Sequence, residues 1–303
     1  MKILSFHNSL EASVVLYLNG KIASAVSEER FNRKKNYHGF PTLSLNYTLK
    51  KFNLKYTDFD YILYGIINSI EPDFEIKKKF ETKLKKVKKK YYKRFIQRIE
   101  TEKQWNKSHI KKIIKFAKKN KFYEKLILLD HHECHAASAY FCSPFNDAQI
   151  FTFDGKGGFR SSSHYIGRNK FFQRKGFLTT FDSMGYFYGN ITRALGFRSE
   201  RHEGKVTGLA AFGKKTNLIN YFESFIKQNN KAYEITFGKN YVPWFCEKKD
   251  LPYFFKKLTN YSKEDIAFAA QYILEKTILH YIKKNISKNK KINICLAGGV
   301  FAN

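Results

Sequence analysis

The sequence lacks the long hydrophobic runs that span membranes. In its 303 residues no apolar stretch approaches the roughly 20 residues of a membrane helix. The chain begins with Met1–Leu4 and then turns polar, so it has no signal-peptide core at this point. With 43% hydrophobic and 17% aromatic residues, it has ample material for a folded core. We therefore expect a globular, cytoplasmic protein without a membrane span.

Cysteine is also scarce. The four cysteines form no Cys-x-x-Cys pair, and they are Cys134, Cys142, Cys246 and Cys295. Cys134 and Cys142 fall in one helical region, which argues against a disulfide between them. The pattern predicts reduced and mostly buried thiols.

Acidic residues are few in comparison with basic ones, 26 against 56, which gives a formal net charge of +30. Residues 77–125 have 21 Lys plus Arg and 4 Glu, a local net charge of +17. Apolar residues recur there every three or four positions and predict an amphipathic helix with a basic, solvated face: Phe80, Leu84, Val87, Tyr91 and Phe95. A second helix is predicted through Ile110, Ile113, Ile114 and Ala117.

The basic segment allows two interpretations. Lysine is abundant throughout the chain, so the charge fits a compositional bias, while RNA, anionic lipid or an acidic partner would also suit a lysine-rich surface. Because its apolar stripe is narrow, we expect residues 77–125 to be dispensable for the core fold.

Two parts of the chain follow the same plan of three strands joined by short polar turns. The first has strands at Lys2–His7, Ala12–Leu18 and Lys21–Val26, with Asn19-Gly20 as a strong hairpin signal. The second has strands at 149–153, 162–167 and 170–175, with a glycine-rich turn from Asp154 to Gly158. This duplication predicts a two-lobed α/β architecture that binds phosphate.

Further along, a buried strand at 292–296 runs into Gly298-Gly299. Glycine would let the backbone approach a ligand closely, although a plain tight turn explains the same pair.

Three histidines lie within five positions at the predicted start of a helix. Leu126–Leu129 are predicted as a strand, Asp130 is a good N-cap, and the helix runs to Phe141. His131 and His135 would share one helix face, and Asp154 could add a carboxylate, which gives a two-histidine, one-carboxylate metal site. The alternative is a histidine-rich helix start whose rings only cap backbone groups.

A charge cluster, Ser27–Lys35, precedes Gly39-Phe40-Pro41. Further motifs run the length of the chain: His131-His132-x-x-His135-Ala136-Ala137-Ser138-Ala139, Phe153-Asp154-Gly155, Ser183-Met184-Gly185, Leu195-Gly196-Phe197, Glu203-Gly204-Lys205-Val206-x-Gly208-Leu209-Ala210 and Leu296-Ala297-Gly298-Gly299-Val300. Together they resemble the amino-terminal domain of the O-carbamoyltransferase family of the nodulation and antibiotic-biosynthesis type.

This resemblance implies an α/β fold of the actin-like ATPase type with duplicated lobes. The first lobe would span residues 1–147, with a lysine-rich helical insertion at about 70–125, and the second would span 148–303. The chain stops at Asn303, shortly after the Gly-Gly turn, so we expect the second lobe to be incomplete at its carboxy end.

The resemblance also implies a reaction. A divalent metal, commonly iron, with zinc or manganese as alternatives, would contact carbamoyl-adenylate made from carbamoyl phosphate and ATP. The carbamoyl group would pass to a hydroxyl of a sugar or another small molecule. His131, His135 and Asp154 match the ligand positions.

Other site residues carry weaker matches to the family. Fixed positive charge would come from Arg30, Lys35 and Lys205, and Glu203 would orient a cation or accept a proton. The predicted cofactor-binding residues, which would hold phosphate or adenosine, are Gly155, Gly157, Ser183, Gly298 and Gly299.

The sequence departs from the family's pattern at Leu10-Glu11, where relatives carry His-Asp. We also expect the family's carboxy-terminal domain to be missing, this chain alone to be inactive, and that domain to be supplied in trans. Two alternatives stay open: a catalytically incomplete binding or assembly subunit, and a basic RNA-binding module.

Overall fold

The computed structural model describes residues 1–66, 69–230, 232–236, 241–242, 252–286 and 291–303. The chain divides into two compact units. The first unit consists of Met1–Pro72 and Ile99–Cys134, and the second consists of Asp73–Arg98 and His135–Asn303.

The first unit contains a five-stranded sheet in the order β3-β2-β1-β4-β5. Its strands are β1 (Lys2–His7), β2 (Ser13–Leu18), β3 (Lys21–Ser27), β4 (Tyr61–Ile66) and β5 (Leu126–Asp130). The first three are antiparallel, whereas β4 runs parallel to β1 and β5 runs parallel to β4. Asn19 and Gly20 both have positive φ between β2 and β3, which confirms the predicted hairpin turn.

The second unit contains a four-stranded sheet in the order β11-β6-β7-β8. Its strands are β6 (Asp147–Gly157), β7 (Arg160–Arg168), β8 (Phe171–Thr179) and β11 (Ile294–Ala297). Strands β6, β7 and β8 are antiparallel neighbours, and β11 runs parallel to β6. Strands β9 (Ile226–Gln228) and β10 (Tyr233–Ile235) form a separate two-stranded sheet.

Both larger sheets therefore have the same plan. A meander of three antiparallel strands is extended beside its first strand by a parallel strand, β4 in one unit and β11 in the other. This confirms the duplication predicted from the sequence, and the chain has an α/β fold with two lobes built on the same sheet plan.

Helices connect many of these strands along the chain. Their bounds are α1 Glu29–Asn32, α2 Thr42–Lys51, α3 Phe74–Lys86, α4 Tyr92–Lys119, α5 His131–Phe141, α6 Met184–Ala194, α7 Glu203–Ala210, α8 Leu218–Glu223, α9 Pro252–Leu258 and α10 Lys263–Asn285. Among the described residues, none of them is both long and apolar enough to cross a bilayer.

The basic segment differs from its prediction in shape. Of the residues predicted as one amphipathic helix, Phe80 and Leu84 lie in α3 and Phe95 lies in α4. Val87 and Lys88, between the two helices, adopt extended backbone conformations. The second predicted helix is the later part of α4. Periodicity located the apolar positions correctly and missed the break between the helices.

The expectation that residues 77–125 are dispensable is wrong, because they supply core side chains. In the second unit Phe95 stacks on Phe181, with ring centroids 4.0 Å apart and planes 8° apart, and Phe80 lies edge-on to both rings. In the first unit Ile110, Ile113 and Ala117 join the buried cluster of the sheet: Leu4, Phe6, Val14, Leu16, Leu45, Phe59, Ile62, Tyr64 and Phe122.

Some of the lysines are also used internally. In the second unit Lys83 is buried and pairs with Asp182, while Lys79 donates to the carbonyl of Phe177 at 2.8 Å. Asp182 Oδ1 also accepts the backbone amide of Ile235 at 2.9 Å. These contacts attach α3 to β8 and to the turn that precedes α6.

The predicted lobe boundary at 147/148 stays a prediction. The first compact unit ends at Cys134 and the second continues from His135, and Asp73–Arg98 also belongs to the second unit. The incompleteness of the second lobe likewise stays a prediction. Cys134, Cys142 and Cys295 are free thiols, of which Cys142 is exposed and only Cys295 is fully buried, and Cys246 lies outside the described residues.

Candidate metal centre

The histidine cluster begins where β5 ends. Asp130 Oδ1 accepts the backbone amides of His132 at 2.9 Å and Glu133 at 3.1 Å, which confirms Asp130 as the N-cap of α5. His132 is fully buried, whereas His131 and His135, one turn apart on this continuous helix, are each partly exposed. Those two imidazoles therefore share a helix face, as their spacing predicts.

Asp154 lies in β6, where the pairing with β7 is irregular between Phe153 and Gly157. Its two carboxylate oxygens have different partners. Oδ1 accepts the backbone amide of Gly155 at 2.6 Å, and Oδ2 lies 3.0 Å from His135 Nε2. One oxygen is thus fixed by the main chain and the other faces α5.

The three predicted metal ligands come together. Ligand atoms of His131, His135 and Asp154 all lie within 4.8 Å of one another. Two ligands about 2.1 Å from one ion would be about 3.0 Å apart at a right angle and about 3.4 Å apart at the tetrahedral angle. The 3.0 Å separation of His135 and Asp154 fits this range, so two imidazoles and a carboxylate suit a divalent transition metal. Whether they hold one stays a prediction.

The Gly298-Gly299 turn lies against the same strand. Gly298 has φ +99°, and a Cβ there would be 2.2 Å from the carbonyl oxygen of Phe153. A Cβ on Gly299 would be 3.4 Å from Asp154 Oδ1. Glycine at 298 is thus required by backbone conformation and by close approach to the chain itself. A role for either glycine in cofactor binding stays a prediction.

The other predicted cofactor-binding residues are Gly155, Gly157 and Ser183. Gly155 provides the amide that holds the carboxylate, and Gly157 ends β6 opposite Arg160. Ser183 is fully buried, and its hydroxyl bonds to backbone groups.

The predicted catalytic residues lie in both units. In the first unit Arg30 and Lys35 are exposed, with Arg30 Nη2 3.7 Å from Glu29 Oε1. In the second unit Glu203 begins α7 and accepts the amide of Glu200 at 2.6 Å, while the exposed Lys205 Nζ lies 5.5 Å from the centre of the Phe197 ring. Their catalytic roles stay predictions.

Sequence reasoning missed the role of Glu28 in the charge cluster. This buried carboxylate accepts the amides of Leu43 at 3.0 Å and Ser44 at 2.7 Å, together with the Ser44 hydroxyl. It therefore caps the start of α2 from a distant part of the chain. The sequence signal that could have revealed this role is an acidic residue, Glu28, upstream of a helix whose own N-cap position has no Ser, Thr, Asp or Asn.

His7 is a second residue whose setting the sequence left undefined. At the end of β1 its Nε2 lies 3.0 Å from Ser13 Oγ, and its Nδ1 lies 3.3 Å from Ser9 Oγ. Burial lowers the pKa of His7 below its usual value, and the charge of His131 lowers it further, so the neutral ring is favoured. Leu10, by contrast, is 37% exposed and pairs with His38 through an isolated backbone bridge.

The family described as Carbamoyltransferase N-terminus matches residues 2–303. The chain belongs to this family. In this carbamoyltransferase N-terminus, His131, His135 and Asp154 all lie within the region that the family matches.

Curated relatives match this carbamoyltransferase N-terminus over most of its length. An uncharacterized protein of Synechocystis sp. is 29% identical over 98% of the chain and 50% of its own length. One from Methanocaldococcus jannaschii is 28% identical over 99% of the chain and 51% of its own. The nodulation protein NolNO of Sinorhizobium fredii is 24% identical over 97% of the chain and 41% of its own. The chain thus spans about half the length of the curated relatives it matches.

Solved structures resemble it only distantly. Component A of the (R)-2-hydroxyglutaryl-CoA dehydratase of Acidaminococcus fermentans is 13% identical, with a TM-score of 0.44 over 99% of this chain and 83% of that one. HypF of T. kodakarensis is 12% identical, with a TM-score of 0.42 over 99% of this chain and 42% of that one.

Proposed function

We propose that this chain is the amino-terminal part of an O-carbamoyltransferase. In this role it holds a divalent metal through His131, His135 and Asp154 and binds carbamoyl-adenylate beside it. The observation that carries the proposal is the convergence of these three ligand atoms within 4.8 Å in a chain that the carbamoyltransferase N-terminus family matches over residues 2–303.

The ligand set supports this chemistry. Three protein ligands leave coordination positions for oxygen atoms of a substrate, as in catalytic metal sites. The ion would supply positive charge beside phosphate and carbamoyl oxygens and would polarise the carbonyl.

In the proposed transfer, the oxygen of an acceptor hydroxyl bonds to the carbamoyl carbon. The bond between that carbon and the phosphate oxygen breaks, AMP leaves, and the hydroxyl proton is released. The acceptor would be a sugar or another small molecule, and carbamoyl phosphate with ATP would be the source of the carbamoyl-adenylate.

The chain's own residues would orient the donor and balance its charge. The amide of Gly155 holds Asp154 Oδ1, so Oδ2 keeps its direction toward His135. Lys205 would supply positive charge for phosphate, and Glu203, at the start of α7, would accept the hydroxyl proton or orient a cation.

Carbamoyl transfer can be tested with the carboxy-terminal half of a longer relative supplied in trans. Carbamoyl phosphate, ATP and a pool of hydroxyl-bearing acceptors are mixed with the chain, and carbamoylated product and AMP are measured by mass spectrometry. We expect acceptor-dependent product with the parent chain and none with the His131→Ala, His135→Ala double variant.

A matched control is His280→Ala, because His280 lies on α10 outside the metal cluster and bonds to the carbonyl of Asn229 at 2.7 Å. This variant should keep the parent's rate. Equal product from the parent and the double variant would contradict a role for the histidine pair in transfer.

A further inference from the structure

The start of α6 lies directly against the backbone that carries Asp154. A Cβ placed on Gly185 would be 2.7 Å from the nitrogen of Gly155, 2.8 Å from its Cα and 2.9 Å from the carbonyl carbon of Asp154. Contacts this short do not occur with a real side chain, and all three neighbours are main-chain atoms that cannot rotate away. Glycine at 185 therefore permits α6 to approach the Asp154–Gly155 peptide.

Ser183 forms hydrogen bonds to both the start of α6 and the backbone at Gly155. Its side chain is fully buried, and its Oγ accepts the amide of Tyr186 at 2.9 Å as the N-cap of α6. The hydroxyl also donates to the carbonyl of Gly155 at 2.7 Å, with the carbonyl of Asp154 at 3.4 Å. A single hydroxyl thus joins the first turn of α6 to the two peptide groups on either side of Gly155.

These contacts determine where the carboxylate points. The amide of Gly155 holds Asp154 Oδ1 at 2.6 Å, which leaves Oδ2 directed at His135 Nε2. If the Gly155 peptide moved by more than about 0.5 Å, the amide would carry Oδ1 with it and Oδ2 would move away from His135. Ligating groups need to be held to within about 0.5 Å by the residues behind them.

We propose that Ser183 and Gly185 are positioning residues for Asp154. They hold the Asp154–Gly155 peptide against the start of α6 and so keep Oδ2 in place for a divalent cation. The inference rests on the proposed metal site, and it gives Ser183 a role other than direct contact with a cofactor.

The first test compares Gly185→Ala with Gly204→Ala. Both glycines are the second residue of a helix, but a Cβ on Gly204 meets nothing within 4 Å. Each purified chain is titrated with Co²⁺ alone, whose visible absorption reports its coordination. We expect Gly185→Ala to bind Co²⁺ at least about tenfold more weakly, with an altered absorption band, because loss of an outer-shell partner typically costs 10–100-fold in affinity. Gly204→Ala should match the parent.

The second test uses Ser183→Ala and Ser183→Thr, which keeps the test decisive if Gly185→Ala fails to fold. The alanine variant removes the hydroxyl, whereas threonine retains both its donor and its acceptor. We expect weak Co²⁺ binding in Ser183→Ala and at least partial recovery in Ser183→Thr, with both variants folded by circular dichroism in the presence of a chelator.

The outcomes separate this inference from the proposed function. If the parent binds Co²⁺ no more tightly than His135→Ala, the metal site itself is absent and the positioning role is lost with it. If the parent binds Co²⁺ in a His135-dependent way, while Ser183→Ala and any folded Gly185→Ala bind it equally well, the metal site stands and the positioning role is refuted.

Discussion

The basic segment is a structural part of the chain, and Phe95→Ala tests this most simply. Phe95 has no exposed surface, and it stacks on Phe181 at 4.0 Å while Phe80 lies edge-on to it. Truncating a buried phenylalanine costs about 3–5 kcal/mol, through lost transfer free energy and the cavity left behind. Since whole domains are stable by only about 5–15 kcal/mol, this loss is a large share of the total.

The neighbouring residue provides a matched control. Ile96 is on the same turn of α4 but is 45% exposed, so Ile96→Ala should change the free energy of unfolding by less than about 1 kcal/mol. Both variants are unfolded in urea and followed by circular dichroism, and the midpoints are compared with the parent's. A cost below about 1 kcal/mol for Phe95→Ala would refute the packing argument.

Because residues 77–125 supply buried side chains, replacing the whole segment should not leave the fold intact, in contrast to the expectation from the sequence. A Gly/Ser linker in place of residues 77–125 would remove Phe80 and Phe95 from one core and Ile110 and Ile113 from another. We now expect loss of cooperative unfolding. A soluble chain with an intact sharp transition would contradict the structure.

Two buried ionisable side chains, His164 and Lys83, should also affect stability. Burial lowers the pKa of His164 to about 4, and the charge of Lys175 contributes to this shift. As the pH falls below 6.5, the His164 ring is therefore protonated in the unfolded chain before it is protonated in the folded chain. About 3 kcal/mol of stability should be lost between pH 6.5 and 4, and urea unfolding of His164→Phe across this range should show a flatter slope. Lys83→Met should cost about 3 kcal/mol in the same assay because Asp182 stays buried without its cation, whereas Lys85→Met, at an exposed position of α3, should cost little.

The features that the sequence predicted best are local ones. The Asn19-Gly20 turn, the strand at Lys2–His7 and the N-cap at Asp130 each depend on residues a few positions apart, and all three are present in the structure. The shared face of His131 and His135 follows from helix geometry alone.

What the sequence could not predict depends on contacts between distant residues. Lys83 and Asp182 are 99 positions apart, and nothing in either local pattern distinguishes a buried lysine from its exposed neighbours on α3. Glu28 looked like part of a solvated charge cluster because its partners, the amides that begin α2, are 15 and 16 residues away. Likewise, only the structure shows that Gly185 faces another main chain.

The break between α3 and α4 has a similar explanation. A stripe of apolar residues with helical spacing is equally compatible with one long helix and with two helices that meet the same core. Whether one helix or two forms depends on the surfaces against which the apolar side chains pack. Here the chain leaves the helical conformation at Val87 and Lys88.

The central claim, that this carbamoyltransferase N-terminus holds a metal, is tested most directly by metal content. The purified chain is equilibrated with Fe²⁺ or Zn²⁺, dialysed, and analysed by mass spectrometry beside the His131→Ala, His135→Ala double variant and an Asp154→Asn variant. We expect one ion per chain in the parent, held weakly, with little or none in the double variant and a reduced amount in Asp154→Asn. Equal metal in the parent and the double variant would contradict the site.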